Sequence, residues 1–138
     1  MMPSTVLRKL TLVFGAGALG ALVNSVFLWL LGTSGINGAL DVAIAPSLTP
    51  AWLYPRLVWG GIWGALFILP LFSRSWLRQG LIFSLGPSAV QLLVVFPSQT
   101  PHGMFGLGLG QLTPLVVLAV NAAWGLTASF WLRAIARD

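Results

Sequence analysis

The chain has 138 residues, 57% of them hydrophobic and 7% charged, with a mean hydropathy of +0.93. So little polar surface excludes a water-soluble domain. The absence of cysteine excludes disulfides, iron–sulfur clusters and thiolate metal sites, and the formal net charge of +5 does not gather into the continuous basic face that nucleic acid requires. Four runs free of Asp, Glu, Lys, Arg and His cover residues 10–31, 57–72, 80–96 and 112–132. At about 1.5 Å of rise per residue, the longest covers roughly 33 Å, against a hydrocarbon core of about 30 Å. These runs predict an all-α polytopic membrane protein, a bundle of four transmembrane helices forming a single domain over residues 1–138.

The first predicted helix spans residues 10–31. Arg8 and Lys9 ahead of an apolar run through Ala18-Leu19-Gly20 imitate a cleavable signal peptide, but the run continues to Leu31, longer than a signal's apolar region. It is read as a retained helix. Two stripes of small residues end in polar ones: Ala16, Gly20 and Asn24 on one, Gly17, Ala21 and Ser25 on the next. The outer connection, residues 32–51, holds Asp41 as its sole titratable group.

The second predicted helix, residues 52–72, contains Gly60-x-x-x-Gly64 beside Gly61 and Ala65, and Pro70 marks its termination. Arg56 stands near its outer start. It either pairs with Asp41 at the interface or snorkels to headgroup phosphates. After an inner loop at 73–77 the third helix, residues 78–96, repeats the small-residue stripe with Gly80, Ser84 and Ser88. Gly86-Pro87 predicts a kink, because Pro87 removes an amide donor and its ring crowds the carbonyl four residues earlier. The outer loop 97–111, with Gly103, Gly106, Gly108 and Gly110 among apolar residues, is expected to lie flat on the headgroups, the alternative being a re-entrant turn. The fourth helix, residues 112–133, carries Ala119 and Ala123, then Gly125 and Ser129.

Basic residues orient this arrangement. Arg8, Lys9, Arg74, Arg78, Arg133 and Arg137 all fall at one end, which places both termini and the loop 73–77 on the cytoplasmic side of a bacterial inner membrane. Trp29, Trp52 and Tyr54 mark the outer interface and Trp76 and Trp131 the inner one, whereas Trp59, Trp63 and Trp124 lie deeper and are expected against other helices. Pro55 leading to Trp63-Gly64, and Pro114 leading to Trp124-Gly125, give the two halves a weak internal likeness.

In lipid, close backbone approach across small residues takes over from hydrophobic force. The expected packing positions are Ala16, Gly17, Gly20, Ala21, Gly60, Gly64, Gly80, Ser84, Gly125 and Ser129. Asn24, Gln91 and Asn121 form either an interhelical hydrogen-bond network or a polar path, since an unpartnered carboxamide in hydrocarbon costs several kcal/mol. One His and two Asp supply neither an acid–base pair nor a metal shell, so the chain is read as a non-enzyme without cofactor. His102 is read as a solvent-facing loop residue.

No span holds the carboxylate that ion-driven transport uses, which separates the chain from the small multidrug transporters, and the Thr-Phe-Ser-Thr-Phe segment of the small four-helix fluoride channels is absent. The sequence is assigned to neither. The first expectation is a non-catalytic protein that works by helix packing, with itself or as an accessory subunit of a larger membrane complex, its partners being lipid and protein and not nucleic acid. The alternative is a passive channel or facilitator for a small neutral or weakly charged solute. A weaker third possibility is pigment or quinone contact through the deep Trp residues.

Overall fold

The computed structural model describes residues 4–136; Arg137, assigned above to the cytoplasmic end, and Asp138 lie outside them. Every regular element among the described residues is helical. Three helical stretches are long and apolar enough to cross a membrane: Ser4–Thr33, Trp76–Gln99 and Thr113–Ala136.

Helix α1 runs unbroken over Ser4–Thr33. Gly35, in the left-handed region at φ 87°, turns the chain into the single turn α2, Ile36–Ala39. The following loop is organised by Asn37, which is buried and donates from Nδ2 to the Ile44 carbonyl at 2.9 Å. Its backbone carbonyl accepts from the Val42 N–H at 2.8 Å, and Val42 is buried.

Helix α3, Pro50–Trp63, begins with Thr49 as its cap, the hydroxyl accepting from the Trp52 N–H at 3.2 Å, and with Pro50 in the first turn, where a missing N–H is harmless. It tightens into a 3-10 segment over Gly64–Ile68, and Leu69 before Pro70 is extended. The second predicted helix therefore ends at Ile68, short of Phe72. Ser75 caps α4, Trp76–Val90, by accepting from the Arg78 N–H at 3.3 Å.

Helical backbone continues through Pro87 and widens into a π-helical segment over Gln91–Val95. There the Phe96 N–H reaches back five residues to the Gln91 carbonyl. The short α5, Phe96–Gln99, carries the third apolar stretch beyond its expected end. Helix α6 spans Thr113–Ala136.

The loop 97–111 satisfies its own backbone. Gly108 N–H bonds the His102 carbonyl at 2.8 Å and Gly110 N–H the Leu107 carbonyl at 3.0 Å, within a 3-10 turn over Met104–Leu109. Gly106, at φ 67°, is wedged between Phe96 and Thr113. One bond joins the two loops, from the Ala43 N–H to the Leu109 carbonyl at 2.8 Å. His102, expected to face solvent, is half-buried with its ring edge-on to Phe96, 6.5 Å between centroids.

Small residues set the helix contacts. A Cβ on Gly17 would strike the Gly60 carbonyl and the Gly64 backbone, one on Gly60 would strike Ala21, and one on Gly64 the Val13 carbonyl. Helices α1 and α3 therefore run antiparallel in near-backbone contact. On α6, Gly125 and Gly80 of α4 leave no room for a methyl group between them, and Ser129 donates to the Trp76 carbonyl at 2.7 Å. Gly20 of α1 lies against the Trp124 backbone and ring. Ala16 is buried in the same core cluster, with Val13, Phe67, Phe83 and Trp124.

Candidate functional site

The small-residue stripes of α1, α3 and α4 each run into a polar side chain, and Asn24, Ser25, Arg56 and Ser88 meet with Asn121 of α6 at one level of the molecule. On α1, the stripe Gly17, Ala21, Ser25 faces α3, and the stripe Ala16, Gly20, Asn24 faces α6. On α3, Arg56 lies one helical turn before Gly60 and so shares the face that meets α1. Its Nε donates to Ser25 Oγ at 2.8 Å and one terminal nitrogen to Asn24 Oδ1 at 2.6 Å. The guanidinium also lies over the Trp52 ring, 4.5 Å from the centroid.

This corrects the expected ion pair. Asp41 is exposed at the end of α2 with its backbone at φ 57°, and no salt bridge joins it to Arg56 among the described residues. Register decides the matter. The stripe that brings Gly60 onto Gly17 carries Arg56 into the seam between helices instead of out to the loop.

From Arg56 the bonds continue in one direction. Asn24 has its oxygen committed to the guanidinium, so its nitrogen donates to the Val120 carbonyl and to Asn121 Oδ1, both at 2.9 Å. Asn121 Nδ2 then donates to Ser88 Oγ at 3.1 Å and to Gln91 Oε1 at 3.5 Å. The Ser88 hydroxyl donates to the Ser84 carbonyl at 2.8 Å. An arginine can only donate, so it fixes which way every amide in this relay points. The relay joins α3, α1, α6 and α4 in that order.

Asn24 is 6% exposed and Asn121 8% exposed, yet both form part of the floor of an open cavity of about 550 Å³. Its walls are α3, with Pro55, Arg56, Trp59 and Trp63, and the widened stretch after Pro87, with Val90, Gln91 and Val95. The three carboxamides singled out in the sequence are thus both networked and cavity-lining. Trp124, at the cavity base, is buried and shares its indole N–H between the Gly17 carbonyl at 3.0 Å and the Gly60 carbonyl at 3.3 Å. Trp59 departs from expectation: it is 62% exposed at the rim and not enclosed by helices.

A second, smaller cavity of about 260 Å³ lies at the opposite end, lined by Lys9, Phe67, Gln79, Ser129 and Arg133 among others. Phe67 lines the smaller cavity, its ring 5.9 Å from that of Trp124, which lines the larger, and 5.1 Å from that of Phe83. Sequence reasoning assigned no role to Ser25 or Ser88 as bonding partners. The four-residue spacing that puts Ser25 in the stripe of Gly17 and Ala21, and Ser88 in that of Gly80 and Ser84, was the available signal. Comparison with protein-family models, with curated proteins and with solved structures found no match to this chain.

Proposed function

We propose that the protein is a non-catalytic inner-membrane facilitator for a small polar solute, which enters the large cavity between α3 and the widened part of the third apolar stretch. The observation that carries this reading is the meeting of Arg56, Asn24, Gln91 and Asn121 on one open cavity of about 550 Å³ inside an otherwise apolar chain. Charged and amide groups within a membrane are costly and are kept where they serve a path or a site.

In this reading the bundle has four crossings, the additional one formed by α3 and its 3-10 extension. Both termini are cytoplasmic, the large cavity opens toward the outer face, and Pro87 bends the third crossing away from α3 to make room for it. The absence of a donor at Pro87 and the π-helical widening four residues later support that bend. The basic lining of the smaller cavity, Lys9 and Arg133, suits the cytoplasmic end. The cluster Phe67, Phe83 and Trp124 is then the barrier a solute must pass.

Flux into proteoliposomes tests this. Entry of glycerol or of acetate, followed by light scattering, should exceed entry into protein-free liposomes, and Asn121→Leu should reduce it. Rates equal to those of empty liposomes for both solutes would sink the reading.

A second reading, assembly with itself or as a subunit of a larger membrane complex, draws on α3, whose Tyr54, Val58, Trp59 and Ile62 are all exposed. Against it, the glycine stripes of α1, α3 and α4 are consumed by contacts within the chain, although Ala119 and Ala123 of α6 are exposed and half-buried. Native mass spectrometry from lipid nanodiscs separates the two: a purely monomeric species disfavours self-assembly.

A further inference from the structure

Resting on the reading of the large cavity as a solute site, we infer that its occupant is an anion, a group bearing phosphate or carboxylate oxygens, received by Arg56. The inference follows from counting which hydrogen-bonding groups the relay leaves over. Arg56 spends two N–H groups, on Ser25 and on Asn24, and the rest of its fork remains for the cavity it lines. Both acceptors are neutral, so the positive charge is uncompensated by any carboxylate among the described residues.

At the other end of the relay Gln91 contributes its oxygen to Asn121. Its amide nitrogen, a donor, is what it keeps for the cavity. Asn24 and Asn121 have already committed their oxygens, to Arg56 and to Asn24 respectively. Trp59 and Trp63 line the same walls, and an indole N–H can only donate. The directionality imposed by one arginine therefore commits the oxygens of Asn24, Asn121 and Gln91 and leaves the donors of Arg56 and Gln91 for the cavity, where Gln99 is the lining amide outside the relay. A neutral hydroxylic or amide solute needs both kinds of partner; an anion needs donors alone, and a guanidinium fork matches its oxygens.

Two sources present the same chemistry. A soluble anion would enter from the outer face, whereas an anionic lipid headgroup would enter between α3 and the widened helix with its chains remaining in the bilayer. Wild-type protein in phosphatidylcholine nanodiscs is titrated with inorganic phosphate, with acetate and, as a neutral control, with glycerol, following Trp fluorescence. A parallel set of nanodiscs replaces part of the phosphatidylcholine with phosphatidylglycerol.

The expected result is a saturable change with phosphate or acetate, or a fluorescence and thermal shift specific to phosphatidylglycerol, and none with glycerol. The first outcome assigns the site to a soluble anion and the second to a lipid. Arg56→Gln, which keeps donors for Asn24 and Ser25, should weaken the effect at least tenfold, and Arg56→Lys should restore part of it. Gln91→Glu, which adds a negative charge to the lining, should weaken it as well and serves if Arg56→Gln does not fold.

The inference is overturned if no anion, soluble or lipid, changes the wild-type signal, or if the folded variants respond as the wild type does. It fails separately from the solute reading. Glycerol binding and flux without an anion response sink the inference and leave that reading intact; anion binding without any flux does the reverse.

Discussion

Asn24 holds more of this structure than its size suggests. Its oxygen stabilises a guanidinium within a helix seam, and its nitrogen reaches two acceptors on α6. Replacement by Leu removes all three bonds and leaves Ser25 as the side-chain acceptor of Arg56, so Asn24→Leu should destabilise the protein by about 1–3 kcal/mol. Gln91→Leu loses a single contact at 3.5 Å and should cost well under half as much. Urea unfolding in detergent micelles, read by Trp fluorescence, checks the ranking; equal costs would contradict the relay as described. The polar residues of this layer were legible in the sequence because carboxamides in apolar runs stand out. The partner of Arg56 was not. A basic residue near a helix end reads as a headgroup anchor, and only the register of Gly60 and Gly64, one and two turns further on, reveals that Arg56 belongs to the packed face.

At the scale of the elements, glycines divide by what surrounds them. A Cβ at Gly80 would lie 2.7 Å from the Gly125 carbonyl, and one at Gly20 would be 2.9 Å from the Trp124 ring, whereas Gly15 has nothing within 4 Å. Gly80→Ala should therefore push α4 off α6 and lower the thermal midpoint in detergent. Gly15→Ala, on the open side of α1, should leave it unchanged or raise it, since Ala is favoured over Gly in a helix interior by about 0.5–1 kcal/mol. If both substitutions lowered stability alike, backbone proximity would not be the organising force. The small-residue stripes were readable from four-residue spacing alone, but not their partners: spacing marks a face, and only the fold decides which face meets it. The outer connections 32–51 and 97–111 were read as Gly- and Pro-rich, the second as lying flat on the headgroups or turning back into the membrane. Their order comes from the buried Asn37 and from φ-positive turns at Gly35 and Gly106, which no periodicity announces.

For the whole molecule, the number of crossings is the property on which cavity, orientation and flux all depend. The chain lacks cysteine, so single cysteines report sidedness without background. Ser47→Cys and Ser73→Cys, both at exposed positions, should react with a membrane-impermeant maleimide from opposite faces: Ser47→Cys in intact spheroplasts, Ser73→Cys after permeabilisation alone. Labelling of both from one face would mean that residues 50–68 do not cross. Three of the apolar runs became long helices, as their lengths implied. The remaining run was harder to read because Pro70 ends it early and a change of helix type follows Trp63.

That change of type has a mechanical consequence. Fourteen α-helical residues at about 1.5 Å each and five in 3-10 form at about 2.0 Å each reach roughly 31 Å, some 2–3 Å further than one uniform α-helix of the same length. A stretch able to trade one coiling for the other acts as a length adjuster. In the proposed arrangement it would let the shortest crossing match bilayers of differing thickness, and the walls of the cavity it borders would shift with the lipid.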